Sequence, residues 1–202
     1  MGRIKSALEI ALERTESVKT DKASIGLYEA KQQGKRLANA FLAAVGAGPS
    51  INLENELKKH PKDQWDGLKE GIFEALVPKI TLPANAEDIP RIEAVGKGLQ
   101  FLIKDSRFTA LYQQLVQALT QYLEEANHYD QVIRQQYAPK LRQKEEELSR
   151  RMGREVRLDP FQDPEFIAFY NQNLNALKAN YQTAVDQVRE DAVRIWDAQG
   201  KG

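Results

Sequence analysis

Between Gly98 and Gly153 the chain has no glycine and a single proline, Pro139. Through that span Phe108, Leu111, Leu115, Tyr122, Ala126, Tyr129 and Ile133 recur at helical spacing, followed by Tyr137, Leu141 and Leu148. A strand would alternate every second residue, so this period predicts one helix of roughly 45 residues, about 65 Å at 1.5 Å per residue. Pro139 removes a backbone donor and marks a kink or a break. An element of that length needs a long partner to cover its apolar stripe.

The partner follows directly. Asp163 is suited to cap a new helix, with Pro164 at its first position and Glu165 in the positive first turn. Its stripe is Phe166, Tyr170, Leu174, Leu177, Tyr181, Ala184, Val188, Ala192 and Ile195, the coiled-coil period. Met152-Gly153 suits the end of the preceding helix, because glycine accepts the left-handed conformation there. Two long helices joined by a turn near 152–163 are expected to fold back as an antiparallel helical hairpin.

The N-terminal half is more broken. Ile4, Ala7, Leu8, Ala11 and Leu12 predict a first helix; "ESVKTDKAS" weakens the pattern, and Thr20 or Asp21 is a candidate cap for a second. The alternative is one bent helix over 3–45. "GAGPS" ends it at Pro49. "NLENELKKHP" reads as a short helix stopped by Pro61. "KDQWDGLKEGIFEALVP" places Trp65, Leu68, Ile72, Phe73 and Leu76 on one face. "KITLPANAEDIP" reads as a loop, and Ile92, Val95, Leu99, Leu102 and Ile103 as another helix. The only strand-like stretch is "REVRL" in the turn. The fold class expected is all-α: a compact helical bundle over 1–105 continuing, without a flexible linker, into the long hairpin over 106–202.

Lys and Arg number 29, as do Asp and Glu, so there is no net field to recruit nucleic acid or an acidic membrane. There is no cysteine, which removes disulfides, thiol catalysis and thiolate metal sites and fits a reducing, cytoplasmic setting. Glutamates interrupt the apolar N-terminus, so it does not read as a signal peptide, and no window is long and apolar enough for a membrane span.

Three segments resemble an uncharacterised family of small all-helical bacterial proteins. They are "GRIKSALEIALERTE", "GKRLANAF" and "QYAPKLRQKEEELSRRMGREVRLDPFQDPEFIAFYNQNL". The resemblance implies an all-helical bacterial protein without an assigned activity, and it supplies no catalytic residues.

Chemistry-bearing motifs are few. Glu125 and His128 form a Glu-x-x-His of the kind used in di-iron bundles, but the other histidine, His60, has Leu57 at the matching position. Glu125 also lies off the apolar stripe, so a solvated face is expected there, and no metal or cofactor. No serine sits in Gly-x-Ser-x-Gly or Ser-x-x-Lys, and "GAGPS" and "VGKGLQ" lack the end of a phosphate-binding loop. A non-enzymatic protein is expected.

The clearest local feature is charge. Arg134 to Arg157 carries eight basic residues against four glutamates. Asp159, Asp163 and Glu165 are expected to meet Arg150, Arg151, Arg154 or Arg157 at the turn, and Lys140, Arg142 and Lys144 to pair with Glu145 to Glu147 on their own helix. Phe161, between two Asp-Pro steps, is expected to fold back on Leu148 or Phe166 as a staple; the alternative is an exposed anchor. Arg150, Arg151, Arg154, Arg157 and Phe161 thus form a candidate interaction tip. The expected function is a scaffold or adaptor engaging another protein or a second copy of itself, with nucleic-acid binding through the basic tip as the alternative.

Overall fold

A computed structural model describes residues 7–46 and 51–200. The protein is all-α: the described residues form six α-helices and no strand, and "REVRL" is irregular chain. The helices are α1 (Ala7–Ala43), α2 (Leu53–Lys58), α3 (Trp65–Leu76), α4 (Ile89–Ile103), α5 (Ser106–Met152) and α6 (Pro164–Gln199). They divide into two compact units, one of residues up to Ile80 with Glu93–Asp105, the other of Thr81–Ile92 with residues from Ser106 onward. The segment 81–92 therefore groups with the long helices.

In the first unit the break expected at Thr20 or Asp21 does not occur, and α1 runs through it. Both residues are tolerated inside a helix at a few tenths of a kcal/mol, roughly, and no proline intervenes to enforce an end. The stripe expected from Ile4 to Leu12, and the stop at Pro49, lie outside the residues described in side-chain detail.

α1 packs on α3 with unusual closeness. A methyl group placed on Gly71 would strike the Lys31 carbonyl, and one on Gly34 would strike the Leu68 carbonyl. The two backbones are in contact at the crossing, which glycine alone permits. Lys31 bridges Glu70 (3.0 Å) and Glu74 (2.6 Å), and Lys35 reaches Glu74 (2.9 Å). These partners hold Glu74 below the usual carboxylate range. Ala30, Leu57 and Leu68 form a core cluster with Leu37, Trp65 and Phe101 against it.

The expected loop "KITLPANAEDIP" is shorter than its sequence suggests. Asn85 and Asp88 form a reciprocal cap on a 3-10 turn (Ala86–Asp88), and α4 begins at Ile89 with Pro90 inside its first turn. Proline is accommodated there because the first amides of a helix have no internal acceptor.

In the second unit α5 is one helix of 47 residues, continuous through Pro139. Tyr122 meets Tyr181 (centroids 5.2 Å apart) and Tyr137 meets Phe166 (5.2 Å), so α5 and α6 run antiparallel. The buried face of α5 is Phe108, Tyr112, Leu115, Leu119, Tyr122, Ile133 and Tyr137. Tyr129, expected in the stripe, is 43% exposed. Tyr112 lies inside, its hydroxyl donating to the Ile92 carbonyl at 2.8 Å. Burial raises its pKa. On α6 Phe166, Leu177, Val185, Val188 and Ala192 are buried.

Candidate functional site

The site that the sequence singles out is the turn joining α5 to α6, and its rigidity begins with one residue. Asp163 caps α6 by accepting from the Glu165 amide (3.1 Å). It is buried to 7% exposure, the one charged or polar residue among the described residues so enclosed. A buried carboxylate needs partners to offset its lost hydration. The Tyr137 hydroxyl donates to it at 2.8 Å and Lys144 Nζ at 2.7 and 2.9 Å. Lys144 also contacts Glu165, which Lys140 reaches at 3.0 Å. Lys144, ahead of the opposing effect of burial, holds Asp163 below the usual carboxylate range. Asp163 and then Glu165 in turn raise the Lys144 pKa.

This corrects the expected charge pairing. Lys140 and Lys144 do not pair with the glutamates of their own helix; they cross to α6. The acids at the turn do not take Arg150, Arg151, Arg154 or Arg157. The reason is reach: Tyr137 and Lys144 lie seven residues apart on the face of α5 that looks at the α6 cap, whereas the arginines lie beyond it. Glu145 instead accepts from the Leu158 amide (2.8 Å) and Ser149 from the Val156 amide (2.9 Å), pinning the turn to α5. Asp159 caps a 3-10 turn (Pro160–Gln162) through the Phe161 amide. Gly153 takes φ +66, as expected of a residue ending a helix.

Phe161 folds back. Its ring meets Phe166 edge-on (5.2 Å, 84°) and Tyr170 (5.4 Å, 75°), and the Arg134 guanidinium lies over it, 4.9 Å from its centroid. With Ile133, Tyr137 and Phe169 these rings close the end of the α5–α6 pair. Phe161 still shows 43% of its surface.

The four tip arginines are exposed. Arg150 has a loose contact with Glu146 (3.8 Å), and Arg157 touches the equally exposed Glu155 (3.2 Å). Arg151 and Arg154 have no ion-pair partner among the described residues. Arg151 lines a cleft of about 310 Å³ with Leu148, Leu158 and Pro164 as apolar wall, where Lys144 is the second cation and Glu147 and Asp163 are the acids. No pattern in the sequence marks this cleft, because it depends on how the irregular residues 153–163 fold back.

The Glu-x-x-His pair is not assembled into a site. His128 is exposed, and Glu125, half-buried, accepts from Gln121 (2.9 Å) and interacts with Tyr181. No group of three metal-ligating side chains occurs among the described residues. His60 is half-buried, its carbonyl accepting from the Trp65 indole (3.0 Å). Among the described residues no helix is long and apolar enough to cross a membrane.

The model of one protein family, a family of unknown function (DUF6657), matches residues 54–193. No curated protein and no solved structure matches the chain. The matched span covers most of the chain, and the protein belongs to this family.

Proposed function

We propose that this member of a family of unknown function is a non-enzymatic helical adaptor whose α5–α6 head docks an acidic, partly apolar segment of a partner protein. The observation that carries it is the pairing of rigid backbone with unspent charge. The turn is tied down by Asp163, Glu145 and Ser149, while Arg151 and Arg154 stand beside it without partners. From Ser149 to Leu158 four arginines face a single acid, Glu155. A preformed cationic surface binds without a large ordering cost, and arginine forks suit carboxylates. The apolar wall of the cleft and Met152, 53% exposed, favour a peptide over a bare polyanion.

The adaptor reading also rests on chemistry. The depressed pKa of Asp163 and Glu165 at the head is explained by lysines in contact with them, a use of charge that holds the turn together. We place the protein in the cytoplasm, in keeping with a chain that has no cysteine.

The test is capture of partners from native lysate with wild type and with Arg151→Glu/Arg154→Glu, with and without nuclease, followed by binding of each recovered protein in purified form. A nuclease-resistant partner lost by the variant and rebound by pure wild type supports docking. Loss on nuclease treatment, with affinity falling by about one log unit per log unit of salt for each phosphate contacted, assigns the head to nucleic acid instead. Equal recovery by both baits overturns the head as a site. Self-association through the same helices is checked by sedimentation, where a monomer at tens of micromolar removes it.

A further inference from the structure

A second site lies in the first unit. Trp65, at the start of α3, and Phe101 and Leu102, in the last turn of α4, meet Leu57 of α2 around a hollow of about 220 Å³. Lys58, Lys69, Lys104 and Glu54 complete its lining. Phe101 and Glu54 also line a neighbouring hollow of about 200 Å³ with Phe41, Ile51 and Leu53, so the apolar surface continues past the first. The Trp65 indole N–H is already satisfied by the His60 carbonyl, which fixes the ring and leaves its face as wall.

The charges are unevenly spoken for. Lys58 bridges Glu54 at 2.7 Å. Lys58 first, and Lys104 from further off, hold that carboxyl below its usual range. Lys69 has no ion pair among the described residues, and Lys104 has none at contact distance.

Lys104 is also the one non-glycine residue with positive φ (+50°) among the described residues. Its amide donates to the Gln100 carbonyl (3.1 Å), closing α4 by a cap at which glycine is the usual residue. A glycine would close the helix without strain and would bring no ammonium group to the lining. Strained backbone of this kind is concentrated at binding sites.

We propose that this hollow is a binding site for a small anionic amphiphile, a free medium-chain carboxylic acid whose hydrocarbon body lies on Trp65 and Phe101 and whose carboxylate is held by Lys69 and Lys104. Apolar lining with a few convergent polar groups is the common form of a ligand site. The lysine stems extend the apolar wall while the ammonium groups remain at the mouth.

The experiment uses the full chain carrying Trp196→Phe, so that Trp65 is the only indole. Titration with decanoate below its micelle concentration is expected to change Trp65 fluorescence saturably, with a matching calorimetric isotherm. Decanol is expected to bind at least tenfold more weakly. Lys69→Gln/Lys104→Asn, where asparagine tolerates the left-handed backbone, is expected to weaken decanoate at least tenfold with the circular dichroism spectrum unchanged. Lys79→Gln, which removes an exposed charge from the same unit, is expected to change nothing. The proposal is overturned if decanoate does not saturate, if decanol binds equally, or if Lys79→Gln weakens binding as much as the double variant. Binding to anionic phospholipid vesicles without binding of decanoate also overturns it, since the surface would then read a membrane.

Discussion

Asp163 concentrates three jobs in one carboxylate: it caps α6, neutralises Lys144 and accepts from Tyr137. Tyr137→Phe keeps the ring contacts with Phe166 and Phe169 and removes one hydrogen bond to a charged acceptor. The expected loss is about 1–2 kcal/mol in urea unfolding. The pH dependence follows from the directions of the shifts. Asp163 and Glu165 are depressed from ordinary values of 3.8 and 4.5, so their stabilisation is fully present above those values and is lost as pH falls through the lower folded ones. Lys144 is raised from 10.5, so its contribution holds below that value and is lost only as pH rises through the higher folded one. Thermal melts across pH are expected to show a plateau between these limits, and Asp163→Asn to flatten the acid side. Lys104→Gly is expected to raise stability by up to about 1 kcal/mol, by removing the left-handed strain, while weakening the ligand site.

At the level of elements, the α1–α3 crossing is the least forgiving contact. Gly71→Ala sets a methyl against the Lys31 carbonyl, and backbone cannot swing aside as a side chain can. The expected cost is about 3 kcal/mol or more in chemical denaturation, at the upper end of overpacking effects. Gly26→Ala is the control: nothing lies within 4 Å of its added methyl, and helix propensity alone is expected to stabilise by about 0.5–1 kcal/mol. Nothing in the sequence distinguished these glycines. Periodicity marks which face of α3 is apolar, and Leu68, Ile72, Phe73 and Leu76 are buried as their spacing predicts. It is silent on how near the facing backbone comes. The same limit explains Tyr129, since a stripe read at threes and fours drifts around a long helix. By contrast α6, with Asp163, Pro164 and Glu165 in their predicted places, was legible because caps are local chemistry.

For the whole molecule, charge reversal at the head separates docking from folding. Arg150 is exposed and only loosely paired, and Arg151 is exposed with no ion pair among the described residues, so Arg150→Glu/Arg151→Glu is expected to move stability by no more than about 0.5 kcal/mol per site while removing partner capture. The helical class and the long elements were visible in the sequence. Of the head, the arginines, the Asp163 cap and the Phe161 staple were visible, but its cleft and cross-helix pairs were not, because they join residues that no period relates: Lys144 with Asp163, Glu145 with Leu158. Those ties have a further consequence. A protease must draw an extended stretch of about ten residues into its active site, which requires local unfolding. Arg154 and Arg157 are exposed bonds of the kind trypsin selects, yet the amides of Val156, Leu158, Phe161, Gln162 and Asp163 are all engaged. Trypsin should therefore pass over its most conspicuous targets in the folded chain, and Glu145→Ala/Ser149→Ala should make them the first bonds cut.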